Sequence, residues 1–162
     1  MSASTTSASN PEASAYAEDI MSKDIVKTEA DKSIQEVANI MTERNISSLL
    51  VEDNGKIIGI LTERDLVRNV CAKDLLASKT PAVSIMSAPV ATVSNNSTVE
   101  RAADLMIKNK IRHLAVQDNS GNITGVITAT DLARYLRRKL LSTDPKILEA
   151  MYAYEEPYGT SL

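Results

Sequence analysis

The chain has 162 residues, enough for one compact domain or for two small units that share a core. Hydrophobic residues make up 43% and charged residues 24%, ordinary values for a globular protein, and the net charge of -3 gives no electrostatic reason to expect nucleic acid. There is no Trp or Phe to stack on bases, the single Cys71 excludes an internal disulfide and makes a cysteine zinc site unexpected, and no apolar run approaches the ~20 residues of a membrane span. A reducing cytoplasm fits this cysteine usage.

In chain order, residues 1–15 are mostly Ser, Ala and Thr, with neither a basic start nor an apolar core. They are expected to form a disordered tail and not a secretory signal. An extended piece is predicted over Asp24–Thr28. Ser33-Ile34-Gln35-Glu36 has the spacing of a capping box, and Ile34, Val37, Ala38 and Met41 follow as an apolar stripe, so a helix is predicted there. Ile46–Val51 and Lys56–Leu61 flank Asp53-Asn54-Gly55, a hairpin signal, and a second helix is predicted after Thr62.

The same elements then recur, shifted by 65 positions and by 66 after one inserted residue. Ile20-Met21-Ser22 returns as Ile85-Met86-Ser87. An extended piece is predicted over Pro89–Val93. Ala38 and Met41 return as Ala103 and Met106, in a stripe with Val99 and Ala102. Asp53-Asn54-Gly55 returns as Asp118-Asn119-Ser120-Gly121, and Gly59 to Leu66 returns as Gly125 to Leu132. Ser97 and Glu100 stand at capping-box spacing before the second stripe, one position out of register. Repetition at this period determines the architecture: an α+β fold of two tandem β-α-β-β-α units. The first is assigned to residues 16–76, a linker to 77–82 and the second to 83–141. Residues 142–162 are expected to hold a short helix over Lys146–Tyr154, introduced by Pro145, and a Tyr-rich tail. Met21, Met41, Met86 and Met106 occupy repeated apolar positions and are expected in the core.

The repeated Gly-x-x-Thr-x-x-Asp is the sharpest chemical signal, and it has two readings. As a cap, Thr accepts a backbone N–H and Asp complements the helix dipole. As a binding site, the helix start with its Thr hydroxyl receives a phosphate, and Asp accepts from the two hydroxyls of a ribose. Gly59 and Gly125 would let a ligand or a chain segment approach the strand. No nucleophile with an evident base and no Walker loop is present, so an enzyme is not expected.

The tandem units, the Ile-Met-Ser openings and the Gly-x-x-Thr-x-x-Asp-Leu junctions resemble paired cystathionine-β-synthase (CBS) domains, the Bateman module, over residues 17–140. The resemblance implies two motifs packed by their sheets with pseudo-two-fold symmetry. It implies two clefts for adenosine-containing ligands such as AMP, ADP, ATP or S-adenosylmethionine, and frequent pairing into disc-like homodimers. It carries ligand roles onto Thr62 and Asp65 at one site and Thr128 and Asp131 at the other, with the backbone at Ile25-Val26 and Val90-Ala91 bordering adenine. It also makes Arg112 and His113 candidates for phosphate contacts, where the first copy has Ser47 and Ser48. Arg64, whose counterpart is Thr130, is a further candidate, since an arginine beside that junction grips phosphate with several donors. His113 as a surface or interface residue and Arg64 as a solvated first-turn residue are the alternatives. The function expected is a regulatory module that senses an adenosine ligand and signals to a partner protein. A ligand-free adaptor is the second reading. A nucleic-acid regulator using Arg134, Arg137, Arg138 and Lys139 is the third, against a solvated face at a helix end.

Overall fold

The computed structural model describes residues 15–143, with side chains described to residue 140. The tail up to residue 14, the Lys146–Tyr154 helix and the Tyr-rich segment lie outside the described residues. The elements are α1 (Ala17–Ile20), β1 (Lys27–Glu29), α2 (Ile34–Arg44), β2 (Ser48–Asp53), β3 (Lys56–Thr62), α3 (Glu63–Asn69), β4 (Thr92–Ser94), α4 (Val99–Asn109), β5 (His113–Gln117), β6 (Ile123–Thr128) and α5 (Ala129–Thr143). Three short 3₁₀ turns connect α3 to β4.

Each copy builds a three-stranded sheet, β1-β2-β3 and β4-β5-β6, in which the first pair is parallel and the second antiparallel. The parallel step needs a crossover, and α2 and α4 supply it. The hairpin turn carries Asn54 at φ 50° and Gly55 at φ 77°, the left-handed pair that the Asn-Gly signal demands. A register irregularity follows Val51 and, at the equivalent place, Val116.

The central strands explain the packing. Leu49 and Val51 of β2 pack with Ile34, Val37 and Met41 of α2, while Leu50, on the opposite face, is also buried. In the second copy Leu114 and Val116 pack with Ala102 and Met106, and Ala115 is buried on the other face. A strand covered on both faces reads as an unbroken apolar run, and both copies have one. The two motifs pack through these sheets, as their pseudo-two-fold relation predicts.

The openings of the two copies are exchanged. Ala17, although it begins the first copy, is fully buried in the second core, and its N–H donates to Ser97 O at 2.8 Å. Ser22 pairs with Val126 of β6. Reciprocally, Ala82 and Ile85 join the first core, and Ser87 pairs with Ile60 of β3. Chain segments, not ligands, occupy the space beside the two repeated glycines. A Cβ on Gly59 would meet the Met86 side chain, with Cγ at 2.8 Å, and one on Gly125 would meet Met21 Cγ at 2.8 Å and the backbone oxygen of Ser22 at 2.9 Å.

Three local expectations shift. The first strands are shorter and later than predicted, because only Lys27–Glu29 and Thr92–Ser94 have ladder partners while the residues before them border clefts. The hairpin strand begins at Ser48 and not at Ile46, whose N–H closes the end of α2 on Met41 O. The capping box at Ser33 and Glu36 forms, whereas α4 starts from Thr98, whose hydroxyl accepts from Arg101 N at 3.2 Å. Ser97 and Glu100 make no box, since Ser97 lies outside the helix and an arginine occupies the third helical position.

Candidate functional site

The strand-to-helix junctions repeat each other in detail. Thr62 donates from its backbone N–H and its hydroxyl to Asp65 Oδ2 at 2.9 and 2.7 Å, and Asp65 N donates back to Thr62 Oγ1 at 3.3 Å. Thr128 and Asp131 do the same at 2.8, 2.6 and 3.3 Å. The cap is therefore real in both copies, and it engages the threonine hydroxyls as well as one oxygen of each aspartate. The other oxygen faces outward. Asp65 Oδ1 accepts from Ser87 Oγ at 3.3 Å, while Asp131 Oδ1 accepts from Arg134, also at 3.3 Å.

Each junction borders a cleft built from both copies. The first, of about 210 Å³, gathers Thr62, Arg64 and Asp65 from copy one with Val90, Ala91, Arg112 and His113 from copy two. Arg112 and His113 thus face the cleft that contains Asp65. The second, of about 270 Å³, holds Thr128, Thr130 and Asp131 opposite Val26, Ser47 and Ser48. Ile25 borders neither. Ile25 lines a separate opening between the two hairpin tips, which Val90 borders as well as the first cleft.

Three charged lining residues were missed as site residues from the sequence: Arg68 in the first cleft, and Asp24 and Arg134 in the second. A signal for two of them was available. Arg68 and Arg134 stand three residues beyond the repeated aspartates, so the repeated motif is Thr-x-x-Asp-x-x-Arg. In the basic run, Arg134 is ion-paired with Asp131, and the Lys139 ammonium lies 5.8 Å from the Tyr135 ring centroid.

His113 sits between the clefts, with Nε2 3.3 Å from Ser47 Oγ of the other copy. Burial pushes its pKa below the ordinary 6.5, and the Arg112 and Arg64 guanidinium groups act in the same direction, opposed by Asp65 and Glu63. The unfolded chain therefore takes up a proton first as pH falls, so stability declines below about 6.5 until the folded-state value is passed. It is unaffected by this group at higher pH. Since His113 is the single histidine, urea unfolding at pH 7.5 and pH 6 should show this loss, and His113→Gln should remove it. An unchanged slope in that variant would refute the assignment.

Among the described residues no group of three or more His, Cys, Asp or Glu is placed to hold a metal ion, and no helix is long and apolar enough to cross a membrane. The two tandem units agree with what comparison with known proteins shows. The CBS domain model matches residues 17–72 and 82–138. The chain belongs to the CBS-domain family. CBS pairs are regulatory modules, and this one is 35% identical over 105 residues to an uncharacterized 17.7 kDa protein of Acidianus ambivalens, covering 64% of this chain and 62% of that one. It is 34% identical to the inosine-5'-monophosphate dehydrogenase of Nitrosopumilus maritimus over 72% of this chain but 23% of that enzyme. Its matches thus span less than two thirds of these relatives. Among solved structures, a CBS-domain protein of Thermoplasma acidophilum superposes with a TM-score of 0.73 at 27% identity, covering 80% of this chain and 74% of that one. The CBS domain pair of protein MJ0100, in complex with 5-methylthioadenosine and S-adenosyl-L-methionine, gives 0.71 at 29% identity, covering 78% and 99%.

Proposed function

We propose that this CBS pair is a regulatory module that binds an adenosine-containing ligand in its interfacial clefts and passes the resulting change in conformation to a partner protein. The observation that carries the reading is the first cleft. There the outward oxygen of Asp65 stands ready for ribose hydroxyls, and Arg64, Arg68 and Arg112 border the same space as the small apolar Val90 and Ala91. The adenosine ligands of the MJ0100 pair support it. Because each cleft takes walls from both copies, a ligand that fits one relative placement of the copies better than another shifts the balance between them, by no more than its difference in affinity.

Thermal unfolding of the full chain against AMP, ADP, ATP, S-adenosylmethionine, cyclic di-AMP and GTP tests this. A ligand at ~100 times its dissociation constant adds roughly 2.7 kcal/mol, a rise of about 5–11 °C for a chain of this size. A shift with adenosine ligands and none with GTP is expected. No shift with any of them would replace the sensor with the ligand-free adaptor.

Pairing with a second copy belongs to the same reading. Ile107 of α4 is 76% exposed, Val67 of α3 59% and Leu136 of α5 55%, and apolar side chains left on helix faces are what an interface covers. A sedimentation mass at the monomer's 17.5 kDa would remove the homodimer.

A further inference from the structure

We infer that the two clefts are chemically distinct: the first takes a phosphorylated adenosine derivative, and the second an adenosine derivative without a phosphate chain. This rests on the nucleotide reading above and assigns a ligand class to each cleft. The repeat makes the comparison residue by residue. Arg64 of the first cleft is replaced by Thr130 in the second, Arg112 by Ser47, His113 by Ser48 and Pro89 by Asp24. The first cleft therefore has three arginines and a histidine against one aspartate. The second has one arginine against two aspartates.

The arginine common to both clefts is also placed differently. Arg134 is ion-paired with Asp131, whereas among the described residues Arg68 makes no ion pair and Asp65 accepts from the neutral Ser87 instead. In the second cleft the one cation is thus already compensated by a carboxylate, and Asp24 adds an uncompensated negative charge at the wall. A phosphate brought there meets like charge, while in the first cleft it meets three guanidinium groups with donors to spare. The parts suited to a nucleoside remain in both: an aspartate at the junction and small apolar side chains, Ala91 in one and Val26 in the other.

Titration calorimetry of the full chain with adenosine, AMP, ATP and S-adenosylmethionine tests the division. AMP and ATP should each saturate at one per chain, with an affinity that falls as salt is raised. Adenosine or S-adenosylmethionine should occupy a site that remains open when AMP is saturating. Arg68→Ala combined with Arg112→Ala should weaken AMP and ATP roughly tenfold or more and leave the second ligand unchanged. Both arginines are exposed, and unfolding without ligand checks that the variant folds. The converse variant, Asp24→Asn with Thr130→Arg, should raise the AMP ratio from one to two. Two equal AMP sites in the unaltered chain would overturn the inference while leaving the nucleotide reading intact, and so would an AMP site insensitive to the arginine pair. No heat with any of the four compounds would overturn the nucleotide reading and the inference together.

Discussion

Asp65→Ala is expected to lower the affinity for adenosine nucleotides by roughly a hundredfold and, separately, to destabilise the ligand-free chain by about 0.5–2 kcal/mol. The two losses have different origins in one side chain. Oδ2 closes the capping box on Thr62 by accepting two hydrogen bonds, and losing them costs about that much stability. Oδ1 faces the first cleft, and two charge-assisted hydrogen bonds to ribose hydroxyls are together worth about 3 kcal/mol, which corresponds to the affinity loss. Asp65→Asn separates them. Its amide oxygen still accepts from Thr62, so stability is mostly kept. Its NH₂ group turned to the cleft cannot accept from the ribose hydroxyls and carries no charge, so the charge-assisted hydrogen bonds are lost and affinity falls. Urea unfolding without ligand and calorimetry with AMP provide the two readings. If Asp65→Asn binds AMP as the unaltered chain does, the carboxylate has a capping role alone.

Gly125→Ala is expected to destabilise the fold by about 1–3 kcal/mol, the usual range for overpacking, and more than Gly59→Ala. Both glycines receive the opening segment of the opposite copy, but the atoms in the way differ. At Gly59 they belong to the Met86 side chain, which has rotamers to move through. At Gly125 the Ser22 carbonyl is also within 2.9 Å, and that carbonyl accepts from Val126 N at 3.0 Å. Relieving the clash there means breaking a backbone pairing. Met86→Ala should therefore restore much of what Gly59→Ala loses, while Met21→Ala should restore less of the loss at Gly125. Double-mutant cycles in urea measure both couplings. Equal losses and equal rescue at the two positions would refute this account.

These two predictions divide along what is local in the chain and what is not. The Ser33–Glu36 capping box, the Asn54-Gly55 turn and the Thr-x-x-Asp junctions were legible because each is an interaction within a few residues, whose partners are given by spacing. The helix stripes were legible for the same reason, and the repeat itself doubled every such signal. Where a local signal was misread, at Ser97 and Glu100, the neighbouring Thr98 was an equally good cap, and the chain's path past Ala17 placed Ser97 outside the helix.

Only the tertiary structure decided how the two copies meet. Both openings carry the same Ile-Met-Ser, and both glycines offer the same gap, so nothing in the local pattern says that Met21 belongs beside Gly125 and Met86 beside Gly59. Nor does it say that Arg112 and His113 enter the cleft of Asp65, or that Asp24 stands in the cleft of Asp131. Those placements depend on contacts from 27 residues apart, Met86 with Gly59, to 107 apart, Asp24 with Asp131, set by which sheet each apolar run buries itself against. The sequence alone determined two capped junctions of one design. The packing of one copy on the other gave them opposite electrostatic surroundings.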